Sequence, residues 1–155
     1  MNELVYRNLS EDAKRQICAW KYGGEYDLYN LPSYEEMQVR QIGFMNPQRE
    51  KNYYGFWDES ILVGFVNILE EKEEVFIGIG VNPDLCNKHY GQRMLLITYE
   101  ISKKLYPDKP LYLEVRTWNI RAVKCYQKAG FRIDGQAYEL TIGIGTGTFY
   151  RMIRE

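Results

Sequence analysis

The sequence predicts one mixed α/β domain, with a central sheet of about six or seven strands flanked by about four helices. Three observations predict this class. Residues 75–105 and 111–130 each read as a buried strand followed by a loop and a helix, and residues 52–69 read as two strands joined by a tight turn. No linker or low-complexity segment interrupts the 155 residues, so the domain is expected to span 1–155.

The N-terminus begins with a short predicted strand at 4–8 and a helix. Ser10 is a residue type that caps helices, and the next two residues, Glu11 and Asp12, are acidic, as the positive end of a helix dipole prefers. Apolar side chains then recur at helical spacing, at Ala13, Ile17 and Trp20. This helix is expected to end before the glycine pair at 23–24.

The next segment, 24–32, is rich in aromatic and acidic residues, and we expect no regular structure there. A second helix is predicted from Ser33, where Glu36 completes a capping box, to the neighbourhood of Gly43. The pattern then changes to strands at 52–58 and 61–69, which form a hairpin turning at 58–60.

Residues 75–105 begin with a buried strand, 75–81, which leads through Pro83 into a polar loop and a helix that starts near Gly91. A loop of this kind can aim backbone N–H groups at a point in front of a helix N-terminus, where negative charge is favoured. Four polar side chains surround it, Lys88, His89, Gln92 and Arg93. The stretch predicts a cradle for a phosphate group, although an ordinary strand-to-helix turn has the same pattern.

Residues 111–130 predict a strand at 111–117 and a helix that Asn119 caps and that ends before Gly130. A closing hairpin follows, with arms at 131–137 and 138–153, and its exposed edge is a plausible dimer surface. The protein is therefore expected to be a monomer or a homodimer.

Composition excludes several classes of function. The net charge of −1 offers no basic field for nucleic acid, and no apolar run reaches the length of a membrane span. The N-terminus has no signal-peptide pattern, which predicts a cytoplasmic location. Three cysteines and one histidine lack metal-ligand spacing, so no metal site is expected.

Two sequence blocks together resemble the GCN5-related N-acetyltransferases, the GNAT superfamily. The first block is V-x-P, a loop, a glycine and a helix; the second is N-x-x-A-x-x-x-Y-x-K-x-G-F after a strand. The matching residues are Val81, Pro83, Gly91, Asn119, Ala122, Tyr126, Lys128, Gly130 and Phe131. The resemblance is specific over about 60–131 and topological elsewhere, and it implies the GNAT-like fold, in which two parallel neighbours, here strands 75–81 and 111–117, splay apart.

The cradle departs from the family pattern Q/R-x-x-G-x-G/A. Placing Gly91 at the last position puts Cys86 and His89 at the other two. A histidine disfavours the positive φ that glycine adopts freely. Because the cradle works mainly through main-chain donors, the predicted phosphate site stands despite this departure.

The resemblance implies an acetyl-CoA-dependent N-acetyltransferase, in which a primary amine attacks the thioester directly in a ternary complex. The diphosphate of coenzyme A would lie on the amides of 90–93, and Val81 N–H would polarise the thioester carbonyl. The implied cofactor-binding residues are Ile79, Val81, Lys88, His89, Tyr90, Gly91, Gln92, Arg93, Asn119, Ala122 and Tyr126.

Two of these residues have alternative roles. Asn119 is implied to bind the pantetheine arm, but it is also a helix cap, and both roles can coexist. Tyr126 is implied to be the catalytic acid that protonates the thiolate, whereas its helical spacing alone indicates a core aromatic. No general base stands out: Glu73, Glu74, Glu114 and water all remain candidates.

The acceptor pocket is expected to form from segment 20–34 and the closing hairpin. Aromatic residues alternate with carboxylates in that segment, at Trp20, Tyr22, Tyr26, Tyr29 and Tyr34, and Tyr26 and Tyr29 are the expected substrate-binding residues. Aromatic faces and carboxylates suit an ammonium group, so the acceptor could be a polyamine, an amino sugar, an aminoglycoside or a peptide N-terminus. Alternatively, these tyrosines pack a lid onto the sheet. Two other readings stay open for the whole protein: a non-catalytic acyl-CoA sensor and a CoA-independent interaction domain on the same fold.

Overall fold

The computed structural model describes residues 3–142 and 145–155. Within them the strands are β1 Val5–Asn8, β2 Tyr53–Asp58, β3 Ile61–Glu70, β4 Val75–Val81, β5 Leu111–Arg116, β6 Arg132–Ile133, β7 Tyr138–Ile142 and β8 Gly145–Arg154. The α-helices are α1 Glu11–Ala19, α2 Tyr34–Arg40, α3 Tyr90–Leu105 and α4 Ile120–Lys128. Short 3-10 helices occupy Gly24–Tyr29, Gly43–Met45, Glu50–Asn52 and Pro83–Leu85.

The strands form one mixed sheet, in the order β1-β2-β3-β4-β5-β8-β6, with β7 paired to β8. Strands β4 and β5 run parallel, with Val75 opposite Leu111 and Phe76 opposite Tyr112. The pairs β1–β2, β2–β3, β5–β8, β6–β8 and β7–β8 are antiparallel. The predicted mixed α/β class is confirmed.

The described residues contain eight strands, more than the six or seven predicted. The difference arises at the C-terminus, where the predicted two-armed hairpin forms three strands, β6, β7 and β8. Positions 143 and 144 of that predicted hairpin lie outside the described residues.

The chain divides into two compact units. The first comprises Met1–Asn67 and Ile79–Tyr90, and the second comprises Ile68–Gly78 and Gly91–Glu155. The first unit has a core of aliphatic, sulfur-containing and aromatic side chains, namely Leu9, Ala13, Ile17, Cys18, Tyr34, Met37, Phe44, Met45, Trp57 and Leu62. In the second unit, the buried apolar residues include Met94, Leu95, Leu111, Leu113, Val123, Phe131 and Met152.

Three helix caps form as the sequence predicts. The hydroxyl of Ser10 accepts a hydrogen bond from Ala13 N–H, and that of Ser33 accepts one from Glu36 N–H, each at 3.1 Å. Asn119 caps α4 in the same way. Each such cap contributes about 1 kcal/mol to helix stability, so local side-chain chemistry fixes where three of the helices begin.

Two boundaries differ from the prediction. Helix α2 ends at Arg40, because Gln41 adopts a left-handed φ of 52°, ahead of the glycine expected to end it. Residues 24–29, expected to be irregular, form a 3-10 helix. A hydrogen bond joins the residues on either side of that helix: the side-chain oxygen of Asn30 accepts from Tyr22 N–H at 2.6 Å.

Candidate active site

The loop that precedes α3 has an unusual backbone. Asn82 opens it: its side-chain oxygen accepts a hydrogen bond from Asp84 N–H at 3.0 Å. Asn87 and His89 both adopt a φ of +67°, in the left-handed region. His89 occupies the position at which the resembled family has glycine, and α3 begins at the next residue. His89 thus adopts a positive φ although histidine disfavours it relative to glycine, and histidine is among the non-glycine residues that visit this region most often.

The side chains predicted to bind the cofactor around this loop differ in exposure. Lys88 and His89 are exposed, Gln92 and Arg93 are partly buried, and Gly91 is buried. The hydroxyl of Tyr90 donates a hydrogen bond to the Asp58 carboxylate at 2.6 Å. The Tyr90 hydroxyl is thus bonded inside the first unit, and the predicted role of Tyr90 is one of its main-chain N–H.

The end of β4 is oriented by two hydrogen bonds within the first unit. Asn82 N–H donates to the carbonyl of Val63, on β3, at 2.8 Å. The carbonyl of Val81 accepts a hydrogen bond from the hydroxyl of Tyr22 at 2.6 Å. Ile79 and Val81 are both partly buried. Tyr22 belongs to segment 20–34, in which the acceptor pocket is expected, but the predicted substrate-binding residues are Tyr26 and Tyr29.

Aromatic rings pack against β3 in the first unit. The ring of Phe65 lies 6.3 Å from that of Trp20 and 6.1 Å from that of Phe44, and it stacks on Tyr53 at 6.4 Å, all between ring centroids. Phe65 also covers Gly80, where an added Cβ would lie 2.4 Å from a carbon of the ring. Trp20 therefore packs against the sheet, which supports the packing alternative for this residue.

The predicted substrate-binding residues Tyr26 and Tyr29 lie on the 3-10 helix and are partly buried. The acidic residues beside them, Glu25 and Asp27, are exposed. Tyr34 has a structural role instead, since its ring is buried and its hydroxyl donates to Glu11 at 2.5 Å. The segment thus contains both packing aromatics and a partly accessible group of tyrosines next to carboxylates.

In the second unit, Asn119 is 7% exposed and its side-chain oxygen accepts a hydrogen bond from Ala122 N–H at 3.2 Å. Tyr126 lies on α4 and is partly buried. The adjacent thiol of Cys125 has a pKa raised by burial, so it is a poor nucleophile at neutral pH. The cap role of Asn119 is established, and its contact with the cofactor stays a prediction.

The carboxylates considered as a general base have different surroundings. Glu73 is exposed, and Glu74 forms an ion pair with Arg151 at 2.6 Å. Glu114 accepts a hydrogen bond from the hydroxyl of Tyr138. Burial, together with this bond to Glu114, raises the pKa of Tyr138, so the phenol remains protonated. Glu74 and Glu114 thus already have partners, and neither is a free base.

Within the described ranges there is no group of three or more His, Cys, Asp or Glu side chains able to hold a metal ion. None of the helices in these described ranges has both the length and the apolar character that a membrane span requires.

Comparisons with known proteins agree with the resemblance seen in the sequence. The sequence model of a family described as "Acetyltransferase (GNAT) family" matches residues 10–131. A curated relative, the "Probable spermine N(1)-acetyltransferase" of Bacillus subtilis subsp. natto (strain BEST195), is 30% identical over 100 residues. That match covers 57% of this chain and 66% of the relative, which is just under two thirds of the relative's length.

Solved structures show the same fold. The crystal structure of a spermidine N-acetyltransferase from Vibrio cholerae in complex with CoA and spermine has a TM-score of 0.78 and 20% identity, over 97% of this chain and 94% of that one. An acetyltransferase (GNAT family) from Bacillus anthracis has a TM-score of 0.76 and 18% identity, over 98% and 94% of the two chains. The predicted family is confirmed, and the names of these proteins agree with the predicted enzyme class.

Proposed function

This chain belongs to the acetyltransferase (GNAT) family, and from that premise we propose that it transfers the acetyl group of acetyl-CoA to a primary amine of a small molecule or peptide. The observation that best supports the proposal is the backbone of the loop before α3. His89 has a φ of +67°, a conformation that glycine adopts freely, at the position where the family pattern has glycine.

In the proposed reaction, the two substrates are bound together. Main-chain amides at 90–93 hold the diphosphate of the donor, and Val81 N–H donates a hydrogen bond to the thioester carbonyl. The amine nitrogen attacks the carbonyl carbon, the C–S bond breaks, and the amine proton leaves to water. The thiolate takes the proton of the Tyr126 phenol, and solvent then returns a proton to the Tyr126 oxygen. A free tyrosine phenol has a pKa of about 10, so it is protonated at neutral pH and able to donate.

Water is assigned the amine proton because two of the three candidate carboxylates have other partners and the third, Glu73, is exposed to solvent. Glu74 is paired with Arg151, and Glu114 accepts a hydrogen bond from Tyr138. Removing either carboxylate from its partner would leave a partly buried polar group unsatisfied.

For the acceptor we propose a polyamine as the first class to test, because the curated relative is named for spermine. The partly buried Tyr26 and Tyr29 lie beside exposed Glu25 and Asp27, and such a surface suits an ammonium group. Amino sugars, aminoglycosides and peptide N-termini belong in the same panel.

The first measurement is the melting temperature with saturating acetyl-CoA or CoA. A ligand at 100 times its dissociation constant stabilises the folded state by about 2.7 kcal/mol, which raises the melting temperature by several degrees in a protein of this size. A rise with no thiol release from any amine would favour the acyl-CoA sensor. No rise with either ligand would reject coenzyme A binding and favour the interaction domain.

The second measurement is thiol release by Tyr126→Phe. A positioned general acid typically contributes about 100-fold or more to rate, so turnover should fall by about that factor while the acetyl-CoA thermal shift persists. Tyr99→Phe is the matched control, because it removes a hydroxyl of the second unit that donates to the main-chain carbonyl of Glu155. Equal turnover in the Tyr126 variant and wild type would reject the acid role.

A further inference from the structure

Tyr22 is fixed at both ends within the first unit. Its main-chain N–H donates to the side-chain oxygen of Asn30, and its hydroxyl donates to the carbonyl of Val81, both at 2.6 Å. The second bond joins residues 59 positions apart in the sequence. Because both the main chain and the hydroxyl of Tyr22 are hydrogen-bonded, its side chain has little freedom to rotate.

The position of the Tyr22 hydroxyl on β4 follows from the peptide between Val81 and Asn82. The described chain contains no cis peptide bond, so the Val81 carbonyl and the Asn82 N–H point in opposite directions. Asn82 N–H donates to Val63 on β3. The carbonyl of Val81 therefore points away from β3, and the hydroxyl of Tyr22 lies at the edge of β4 that does not face β3.

The N–H of Val81 belongs to the same edge. In an extended strand, the N–H and the carbonyl of one residue point to the same side, and Val81 is the last residue of β4. Because both groups belong to one residue, they lie within about one residue rise of each other, roughly 3.3 Å. The Tyr22 hydroxyl thus lies beside Val81 N–H, the group that donates a hydrogen bond to the thioester carbonyl in the proposed function.

Packing holds the same segment from a second direction. The ring of Trp20 contacts that of Phe65, and Phe65 in turn lies directly over Gly80. Residues 20–22 are thus tied to residues 80–81 through an aromatic chain as well as through a hydrogen bond. Such double support is what a pre-organised substrate contact needs, because a hydroxyl that must be ordered on binding costs entropy.

We propose that Tyr22 is an acceptor-site residue whose phenolic oxygen accepts a hydrogen bond from the attacking amine while its proton stays on the carbonyl of Val81. The inference rests on the proposed function, which places the thioester at Val81 N–H. A neutral primary amine has two N–H groups and one lone pair. Giving one N–H to Tyr22 leaves the lone pair to attack the carbonyl carbon, and no proton passes through Tyr22.

The test is steady-state kinetics of Tyr22→Phe, with the best amine found in the acceptor panel. Loss of one neutral hydrogen bond predicts a fall of about fivefold to tenfold in kcat/KM for the amine. The KM for acetyl-CoA and the slow thiol release without amine should stay within about twofold of wild type. Tyr6→Phe is the control, because Tyr6 is an exposed tyrosine on β1 of the same unit.

Three results would overturn the inference. Unchanged amine kinetics would show that the oxygen does not touch the amine. A rise in the KM for acetyl-CoA and a fall in amine-free thiol release, both as large as the change in amine kinetics, would show that Tyr22 only positions β4. If wild type binds acetyl-CoA but acetylates no amine, the proposed function fails first, and the inference fails with it.

A second variant covers the case in which Tyr22→Phe does not fold. Asn30→Ala removes the bond to Tyr22 N–H and leaves the phenol in place. It should lower kcat/KM for the amine by about twofold to fivefold, again without a change in the KM for acetyl-CoA. Amine kinetics equal to wild type would count against the inference in this variant as well.

Discussion

His89 shows that a backbone conformation can survive the loss of the residue type that usually supports it. Its φ of +67° lies in a region that costs most L-amino acids about 1–2 kcal/mol. The side chain is exposed, so the cost is not offset by burial of the imidazole. We expect main-chain N–H groups of this loop, rather than the side chain at 89, to bind an anion.

His89→Gly should therefore stabilise the protein by up to about 1 kcal/mol, since the relief of strain is partly offset by the greater freedom of glycine in the unfolded chain. The dissociation constant for CoA should stay within about twofold of wild type. Thermal melts and isothermal titration check both values. His89→Val is the control, because a β-branched residue at positive φ is strongly disfavoured and should lower the melting temperature. A large loss of CoA affinity in His89→Gly would mean that the imidazole itself contacts the ligand.

Single residues also show which parts of the site a sequence can reveal. The caps at Ser10, Ser33 and Asn119 were predictable, because each involves a main-chain N–H only three residues away. The sequence places Tyr22 in the expected acceptor segment but does not indicate its contact, because its partner lies 59 residues away and nothing in the segment distinguishes one tyrosine from the others. The roles of Tyr126, Tyr26 and Tyr29 stay predictions.

Helix α1 buries a charged residue that the apolar stripe did not predict. Lys14 is 2% exposed and forms ion pairs with Glu11 at 3.0 Å and with Glu50 at 3.4 Å. Glu11 also accepts a hydrogen bond from the hydroxyl of Tyr34, the first residue of α2. Trp20, expected on the stripe, lies beyond the end of α1 and packs on Phe65. The polar network thus joins α1 to α2, and a periodic pattern of apolar residues cannot indicate it.

The network gives a pH dependence with a definite sign. The Tyr34 hydrogen bond, followed by Lys14, holds the pKa of Glu11 below its ordinary value of 4.5. A carboxyl whose pKa is lowered by folding contributes stability above its unfolded pKa and loses it as the pH falls through the folded value. Below about pH 4.5, the melting temperature should fall more steeply with decreasing pH in wild type than in Glu11→Gln. The comparison needs thermal melts from neutral pH to about pH 3.

Glu100→Gln is the control for this comparison, because Glu100 is an exposed carboxylate on α3 and should leave the acid slope unchanged. Parallel slopes for wild type and Glu11→Gln would show that Glu11 does not contribute to acid sensitivity.

Strand prediction succeeded where apolar alternation was long and failed where elements were short. Strands β2, β3, β4 and β5 lie within a residue or two of their predicted ranges. At the C-terminus, β6 has only two residues, too few to show a period. The 3-10 helix at 24–29 was also missed, since an i to i+3 pattern in six residues gives no amphipathic signal.

The two compact units divide a chain whose sequence predicted one domain. Strand β3 runs from Ile61 to Glu70 and β4 from Val75 to Val81, so each strand has residues in both units. A strand interrupted at the unit boundary would lose ladder hydrogen bonds at both of its new ends. We therefore expect neither unit to unfold while the other keeps these strands intact.

Calorimetry tests this expectation first. For 155 residues, one cooperative transition near 60 °C should have an enthalpy of about 110 kcal/mol, with equal calorimetric and van't Hoff values. Units that unfold separately would give a van't Hoff enthalpy near half of that value.

Hydrogen exchange of Ile17→Ala tests the same expectation element by element. Ile17 is 1% exposed in the core of the first unit, and truncating such a side chain typically costs 2–5 kcal/mol. In a single cooperative protein, the slowest amides exchange only through global unfolding, so this cost should appear in full at residues 94–104 of α3, in the second unit. Leu111→Ala, in the core of the second unit, should accelerate the slowest amides of α1 in the same way. Acceleration confined to the mutated unit in either variant would show two independently folding units, and the predicted single domain would then be wrong.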